Sequence, residues 1–169
     1  MKANGSVYVS TVFVVLIGYF VYQWWFNPHR VVKQRLGEIA ATLSIPANET
    51  DLARVARLAR LRQYLSDQIH IRTGRSGPAF SSRDAVVAAA SGWNPPGGWN
   101  VDFVDVDVKV DSDATARAFV TVDATTRDPA SGQQTLDSRE AQLAFANQDG
   151  EWLVSEVDVK DPPQLPSPR

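Results

Sequence analysis

The sequence predicts an α+β domain that follows one N-terminal transmembrane helix, with about three helices before a bent, mainly antiparallel β-sheet. Three observations predict this order. Residues 7–26 carry no charge. Apolar residues then recur at helical spacing, and from Asn100 onward they alternate with polar residues as half-buried strands require.

The first element is the uncharged run Val7–Phe26, which has twenty residues. At about 1.5 Å per residue, a helix of that length spans the roughly 30 Å hydrocarbon core of a bilayer. We therefore expect a tail at 1–6, a transmembrane helix at 7–26, a domain at 27–160 and a proline-rich tail at 161–169.

The alternative for this run is a cleaved signal peptide, whose apolar stretch is shorter and ends in small side chains. Here the stretch ends in bulky rings, which settle at the headgroup level of a bilayer. The aromatic residues near its end are Tyr19, Phe20, Tyr22, Trp24, Trp25 and Phe26. We expect an uncleaved anchor, with Trp24, Trp25 and Phe26 in contact with lipid and neighbouring subunits.

The basic residues that flank the span decide its orientation, and they are nearly balanced. Lys2 and the amino terminus precede the span, whereas Arg30, Lys33 and Arg35 follow it. The rule alone favours a cytoplasmic domain, whereas the minimal N-terminal tail favours export, and we expect a bacterial inner-membrane protein with a periplasmic domain. The chain has no cysteine, which excludes disulfides and thiolate chemistry.

The net charge of −2 conceals an asymmetry. Between His29 and Arg75 there are nine basic and four acidic residues, whereas Ser76 to Arg169 contains seven basic and fifteen acidic residues. The basic half is compatible with an anionic lipid surface. Two solvated faces explain the same asymmetry.

Two helices are predicted before the first strand. The first begins after Asn27-Pro28 and ends at Ile45-Pro46, and the second runs from Asn48–Asp51 to about Leu65. On the second, we expect a broad apolar arc to be buried and an opposite strip of arginines to face outward. That strip, Arg54, Arg57 and Arg60, is a candidate contact surface or a solvated face.

A third helix is predicted from Ser81 or Ser82 to Ala90. The irregular loop after it, Gly92–Trp99, contains two tryptophans among prolines and glycines. Trp93 and Trp99 are candidates for binding a ligand or a partner. They are equally candidates for closing one end of the domain's own core.

The strands that follow contain two shifts of phase. Val101 and Phe103 are out of phase with Val104–Val110, and Val157 and Val159 are out of phase with Trp152 and Val154. A phase shift within a strand indicates a β-bulge, which bends a sheet. The segment Asn147–Gly150 predicts a tight hairpin between the last two strands.

Three motifs in this order resemble the nuclear-transport-factor-2-like superfamily of cystatin-like cones over about Arg30 to Lys160. They are the helix-to-strand junction Tyr64–Ile71, the helix start Ser82–Ala85, and the strand Arg139–Phe145 followed by the Asp149–Val154 hairpin strand. The resemblance implies a bent sheet wrapped around a helix into an open cone. This fold serves enzymes, ligand binders and structural modules alike.

The resemblance also directs attention to catalytic candidates. Members similar to ketosteroid isomerase use an acidic base on the first strand, and that position falls near Arg72, which cannot accept a proton. Members similar to limonene epoxide hydrolase use an Asp-Arg-Asp group, and Asp137 and Arg139 share a strand face here. An Arg-Asp pair is also a common structural ion pair.

His70 is a further candidate, because with Asp67 and Tyr64 it would form an acid-base group at the mouth of the cone. A structural histidine is the alternative. The sequence contains no metal-ligand spacing, phosphate loop, nucleophile elbow or basic-aromatic nucleic-acid patch. We therefore expect no metal, no cofactor and no nucleic-acid partner.

These observations favour a non-catalytic accessory subunit that docks on other integral membrane subunits, such as those of an energy-transducing (respiratory or photosynthetic) complex. The proline-rich tail, with Pro162 and Pro163, would act as a polyproline-like strap in contact with a partner. The alternative is a membrane-tethered protein that binds or transforms a small apolar molecule in the cone through Trp93, Trp99, His70 and Arg139.

Overall fold

The computed structural model describes residues 14–16, 27–74 and 77–161. Residues 14–16 are helical and lie within the predicted span. The rest of that span, with Trp24, Trp25 and Phe26, and the tail with Pro162 and Pro163 fall outside the described residues. Among the described residues, no helix has both the length and the apolarity needed to cross a bilayer.

Residues 27–74 and 77–161 form an α+β domain of helices and one mixed sheet. The helices are α1 (Pro28–Leu43), α2 (Asp51–Tyr64) and α3 (Arg83–Gly92). The strands are β1 (Leu65–Thr73), β2 (Ala79–Phe80), β3 (Trp99–Val110), β4 (Thr115–Arg127), β5 (Gln134–Gln148) and β6 (Glu151–Val159).

Each helix begins where a short polar side chain caps its free amides, as the sequence predicts. Asn27 accepts a hydrogen bond from the backbone N–H of His29 at 3.1 Å, with Pro28 in the first turn. Thr50 caps α2 and Ser82 caps α3 in the same manner. Such caps stabilise a helix start because they satisfy amides that have no intrahelical partner.

The strand order is β2-β1-β6-β5-β4-β3. Strands β3 to β6 form the predicted antiparallel meander, whose last turn has Asp149 and Gly150 at φ 54° and 88°. Positive φ at both positions matches the twist of a tight hairpin. Strand β1 pairs parallel with β6. Helices α1 and α2 precede β1, and α3 lies between β2 and the meander.

Both predicted bends are present. The register of β3 with β4 shifts between Val104 and Asp107, where Asp105 has φ 50°. The register of β5 with β6 shifts between Ala144 and Phe145. Each shift inserts one residue on one strand, which increases the local twist and curves the sheet.

The curved sheet encloses α1, whose apolar stripe supplies one wall of the core. Val32 and Leu36 are fully buried, and Phe145 and Val154 face them from the sheet. The other buried apolar residues of this cluster are Ile39, Leu61, Leu65, Ile69, Val108, Ala116, Ala118, Val120, Ala141, Leu143 and Trp152.

The predicted orientation of α2 is wrong. The expected contact strip included Arg57, but Arg57 is 7% exposed, whereas Leu52 and Val55 are 81% and 63% exposed. The cause is Glu49, whose carboxylate accepts hydrogen bonds from Nε and Nη2 of Arg57 at 2.7 and 3.1 Å. The pair satisfies both charges beneath α2, so the opposite side of the helix faces outward.

We expect Arg57→Met to lower the free energy of unfolding by roughly 3 kcal/mol, because it leaves the buried Glu49 carboxylate without its partner. Arg60→Met, on the exposed side of the same helix, is the matched control and should have little effect. Urea denaturation of the full chain in detergent micelles measures both. Equal stability of the two variants would contradict the burial of this pair.

The same pair predicts a pH dependence. Hydrogen bonding from Arg57 lowers the pKa of Glu49 below its ordinary value of 4.5 and outweighs the opposing effect of desolvation. Because the pKa of Glu49 is lower in the folded than in the unfolded chain, its ionised carboxylate stabilises the fold above pH 4.5. This stabilisation is lost as the pH falls through the pKa of Glu49 in the folded chain. Glu49→Gln should therefore weaken the dependence of the free energy of unfolding on pH below pH 4.5. An unchanged dependence in this variant would contradict the role of Glu49.

Candidate functional site

The interior of the cone contains a cavity of about 180 Å³. It is bounded by α1, α2, α3, β1 and the concave face of the sheet. The lining side chains are Ile39, Leu43, Leu61, Leu65, Ile71, Val86, Phe103, Val122, Ala141, Leu143, Val154, Val157 and Val159. Within the described part of the chain, every residue that lines this cavity is apolar.

The first strand places no acid or base in the cavity. Ile71 lines the cavity, whereas its neighbours His70 and Arg72 point to the exposed side of β1 because successive strand residues alternate. Arg72 donates to Glu156 at 2.8 Å on that exposed side. On this part of β1, Ile71 presents hydrocarbon to the cone, and Arg72, the residue near the isomerase-base position, lies outside it.

The acid-base group proposed for the cone mouth is not assembled. Asp67 forms an ion pair with Arg83 at the start of α3. The ring of Tyr64 lies under the guanidinium of Arg35, with 5.2 Å between the guanidinium carbon and the ring centroid. His70 is exposed, on the face of β1 away from the cavity. These three side chains have separate surroundings and share no site.

Asp137 and Arg139 lie in the exposed first part of β5, which we call the arm (residues 134–139). Nε of Arg139 donates to the Asp137 carboxylate at 3.0 and 3.2 Å. Both are on the same strand face as Leu143, as predicted, but the core ends near Ala141. The side chains of Asp137 and Arg139 are 54% and 38% exposed, so the pair is an exposed ion pair outside the cavity.

The two tryptophans of the loop after α3 are in contact. Their ring centroids are 5.6 Å apart with planes at 84°, an edge-to-face arrangement. Trp93 is 51% exposed, whereas Trp99 is half-buried at the start of β3. Trp93 therefore presents an aromatic surface to solvent, while part of the Trp99 ring is covered by the domain.

Trp99 also borders an open groove of about 550 Å³ at the end of β3, β4 and β5. The backbones of Ile45 and Trp99 exchange hydrogen bonds of 2.6 and 2.8 Å, which fix one wall. Gly97 fixes another, since a Cβ there would collide with the carbonyl oxygen of Arg127. The remaining lining includes Pro46, Ala47, Thr125, Thr126 and Gln134.

A second surface was missed by sequence reasoning, and we call it the α2 outer surface: Leu52, Val55, Ala56 and Ala59, all exposed. At about 100° per residue, Arg60 and Arg62 fall roughly 80° to either side of Leu52. The helix has two apolar stripes, and Leu58 and Leu61 lie on the one that faces the core. Glu49, eight residues before Arg57, was the signal that could have distinguished them.

Among the described residues, no cluster of histidine and acidic side chains could hold a metal ion. Arg54, another candidate contact residue, is half-buried and pairs with Asp51 in the first turn of α2. Arg60 is exposed. Of the predicted strip of three arginines, only Arg60 remains fully on the surface.

The two tryptophans should differ in their contribution to stability. Trp99→Ala removes a half-buried ring and should lower the free energy of unfolding by about 2 kcal/mol, while Trp93→Ala should cost less than about 1 kcal/mol because half of that ring is already in water. Chemical denaturation of both variants measures the difference. The reverse order would contradict the placement of the two rings.

No protein-family model matches the chain, and no curated protein sequence matches it. Comparison of structures does find similar folds. An NTF2-like protein with a cystatin-like fold from Novosphingobium aromaticivorans matches with a TM-score of 0.65 at 12% identity, over 83% of this chain and 86% of that chain.

Two further solved structures have a similar fold. An NTF2-like protein of unknown function from Pseudomonas putida matches with a TM-score of 0.60 at 14% identity, over 80% of this chain and 87% of that one. The association domain of C. elegans CaMKII matches with a TM-score of 0.58 at 10% identity, over 79% and 98%. The chain therefore has the α+β cone fold of the NTF2-like, cystatin-like proteins.

Proposed function

We propose that the protein is a non-catalytic accessory subunit of a membrane complex, anchored by Val7–Phe26 in a bacterial inner membrane with its domain on the periplasmic side. The α2 outer surface is the observation that carries this proposal. An apolar helix face turned to solvent is unfavourable in an isolated domain and becomes favourable when a partner covers it.

The chemistry of the cavity supports a non-catalytic role. General acid-base catalysis needs a polar group within hydrogen-bond reach of the reacting atom. Ile71, Phe103 and Leu143 offer only hydrocarbon to the cone interior. The polar candidates His70, Asp137 and Arg139 lie outside it, so a molecule in the cavity would meet no group able to move a proton.

The arrangement of α2 supports a protein partner. Leu52, Val55, Ala56 and Ala59 recur at spacings of three and four, the pattern by which one helix packs against another. The small alanines allow a close approach of a second backbone. Arg60 and Arg62 on the margins can pair with acidic groups at the rim of such an interface.

The fold itself is compatible with assembly. One of the matched structures is described as an association domain. At 10% identity this likeness concerns the fold alone, yet it indicates that a cone domain can serve to hold proteins together. The host complex of the present chain would be identified by the proteins that accompany it.

The proposal predicts that Leu52→Asp combined with Val55→Asp abolishes co-purification with partner subunits. Two carboxylates on this surface would have to be desolvated in the interface. The measurement is affinity purification of the tagged full chain from native membranes in mild detergent, followed by mass spectrometry.

Leu136→Asp is the matched control, because Leu136 is 62% exposed on the arm and far along the chain from α2. It should leave the partners in place, and circular dichroism should show both variants folded. Recovery of the wild-type chain as a monodisperse monomer would contradict the proposal.

A second candidate function rests on the cavity. Its size and its wholly apolar lining suit a small hydrocarbon group, so the chain would be a membrane-tethered protein that binds an apolar ligand. The tether would then keep the domain close to the bilayer, in which apolar molecules concentrate.

Benzene serves as the probe for this alternative. We expect saturating benzene to raise the melting temperature of the wild-type chain if the cavity accepts ligands. Ala141→Leu, which projects into the cavity, should abolish the shift, whereas Ala144→Leu on the outer face of β5 should preserve it. An equal shift in all three proteins would exclude the cavity as the binding site.

A further inference from the structure

We propose that the chain forms a symmetric dimer, in which strand β3 of one copy pairs antiparallel with β3 of a second copy over Val106–Val110. Strand β3 is the last strand at one end of the sheet, and β4 pairs with its inner side. Its outer side can therefore accept a further strand. This inference goes beyond the proposed function and depends on neither the membrane anchor nor the α2 outer surface.

The outer edge of β3 is covered only at its beginning, within the part of the chain that the structure describes. Ile45 exchanges backbone hydrogen bonds with Trp99, and Oγ of Ser44 accepts from the backbone N–H of Val101 at 3.0 Å. Beyond Val101, none of the described residues forms a backbone hydrogen bond with this edge. An open strand edge is a template for pairing with another chain.

Three valines direct their backbone groups to this open edge. The backbone N–H of Asp111 donates to the carbonyl oxygen of Thr115 at 3.0 Å, in the direction of β4. Because the direction of hydrogen bonding alternates along a strand, the N–H and C=O groups of Val106, Val108 and Val110 point away from β4. These three positions can form a short antiparallel ladder with a second strand.

The bulge at Asp105 sets one limit of that ladder. The register of β3 with β4 shifts between Val104 and Asp107, and Asp105 has φ 50°. A bulge leaves a residue unpaired and twists the edge of a sheet, which hinders pairing across it. Pairing with a second copy is therefore confined to the segment between Asp105 and the turn that begins at Asp111.

The charges on this segment select one register. Asp107 and Lys109 lie on the same strand face, with side chains 64% and 61% exposed. When Val108 lies opposite Val108 of the second copy, Asp107 of each copy lies opposite Lys109 of the other. Moving the centre of the pairing by one residue would instead place two Asp107 or two Lys109 side chains opposite each other. Opposite charges across strands stabilise the pairing and like charges destabilise it, so the register centred on Val108 is favoured.

The same register covers an exposed valine. Val110 is 38% exposed, and Val106 is half-buried on the same side of the strand. In the register centred on Val108, Val110 of each copy lies opposite Val106 of the other, so the two side chains bury apolar surface against each other. The interface is symmetric, and each of these contacts therefore occurs twice.

Charge reversal tests the register. Asp107→Lys would place two pairs of like positive charges across the interface, and Lys109→Asp would place two pairs of like negative charges there. We expect each variant alone to raise the dissociation constant of the dimer at least about tenfold. An equimolar mixture of the two variants should dimerise about as well as the wild-type chain, because every lysine then lies opposite an aspartate. Sedimentation equilibrium of the full chain in density-matched detergent, at several protein concentrations, measures the dissociation constants.

A change at Val110 tests the backbone ladder. Val110→Pro removes the N–H that would bond to the second copy, and proline is tolerated on an edge strand where the N–H faces outward. Val110→Thr keeps that N–H and is the matched control. We expect the proline variant to weaken the dimer severalfold and the threonine variant to dimerise about as well as the wild-type chain, with circular dichroism showing both folded.

Each outcome decides the question. Loss of the dimer in both charge variants and its recovery in their mixture support pairing through β3. A wild-type chain that is monomeric at every concentration overturns the proposal, and so does a dimer that neither charge variant weakens. The double variant Leu52→Asp/Val55→Asp should dimerise like the wild-type chain, so this proposal and the accessory-subunit function fail independently of each other.

Discussion

The bend of the sheet is the constraint on which the rest of the structure depends. Two register shifts, one at Asp105 in β3 and one between Ala144 and Phe145 in β5, curve the sheet around α1. A flat sheet could not have wrapped around the apolar stripe of α1. The curvature leaves the small cavity where α1, α2 and the sheet do not fill the cone, and it leaves the arm beyond the core.

The buried ion pair of Glu49 and Arg57 determines what the domain presents to its surroundings. Without it, the apolar residues of α2 could have turned toward the core and the arginines toward solvent, as amphipathicity alone suggests. With it, Leu52 and Val55 face outward while Leu61 remains in the core. Among the described residues, those that line the cone cavity are apolar, and α2 displays an apolar face to solvent. The function we propose rests on these two observations.

Much of the fold could be predicted from local patterns, because caps, strand alternation and hairpin turns depend on neighbours in the sequence. Asn27, Thr50 and Ser82 cap helices within the predicted segments, and the phase shifts near Val104 and Trp152 correspond to register shifts. The face of α2 could not be predicted, since it depends on one long-range ion pair. The surroundings of Asp137 and His70 also escaped prediction, because a shared strand face does not reveal where the core ends.

Carbene footprinting of aliphatic side chains would test the central claim most directly. The full chain would be labelled in native membranes and again after purification in detergent, with modification measured at Leu52 and Val55 and with Leu136 as the internal reference. The account predicts strong modification of Leu52 and Val55 in the purified chain and protection of both in native membranes, while Leu136 reacts in both samples. Equal modification of Leu52 and Val55 in the two samples would contradict it, because the α2 outer surface would then have no partner.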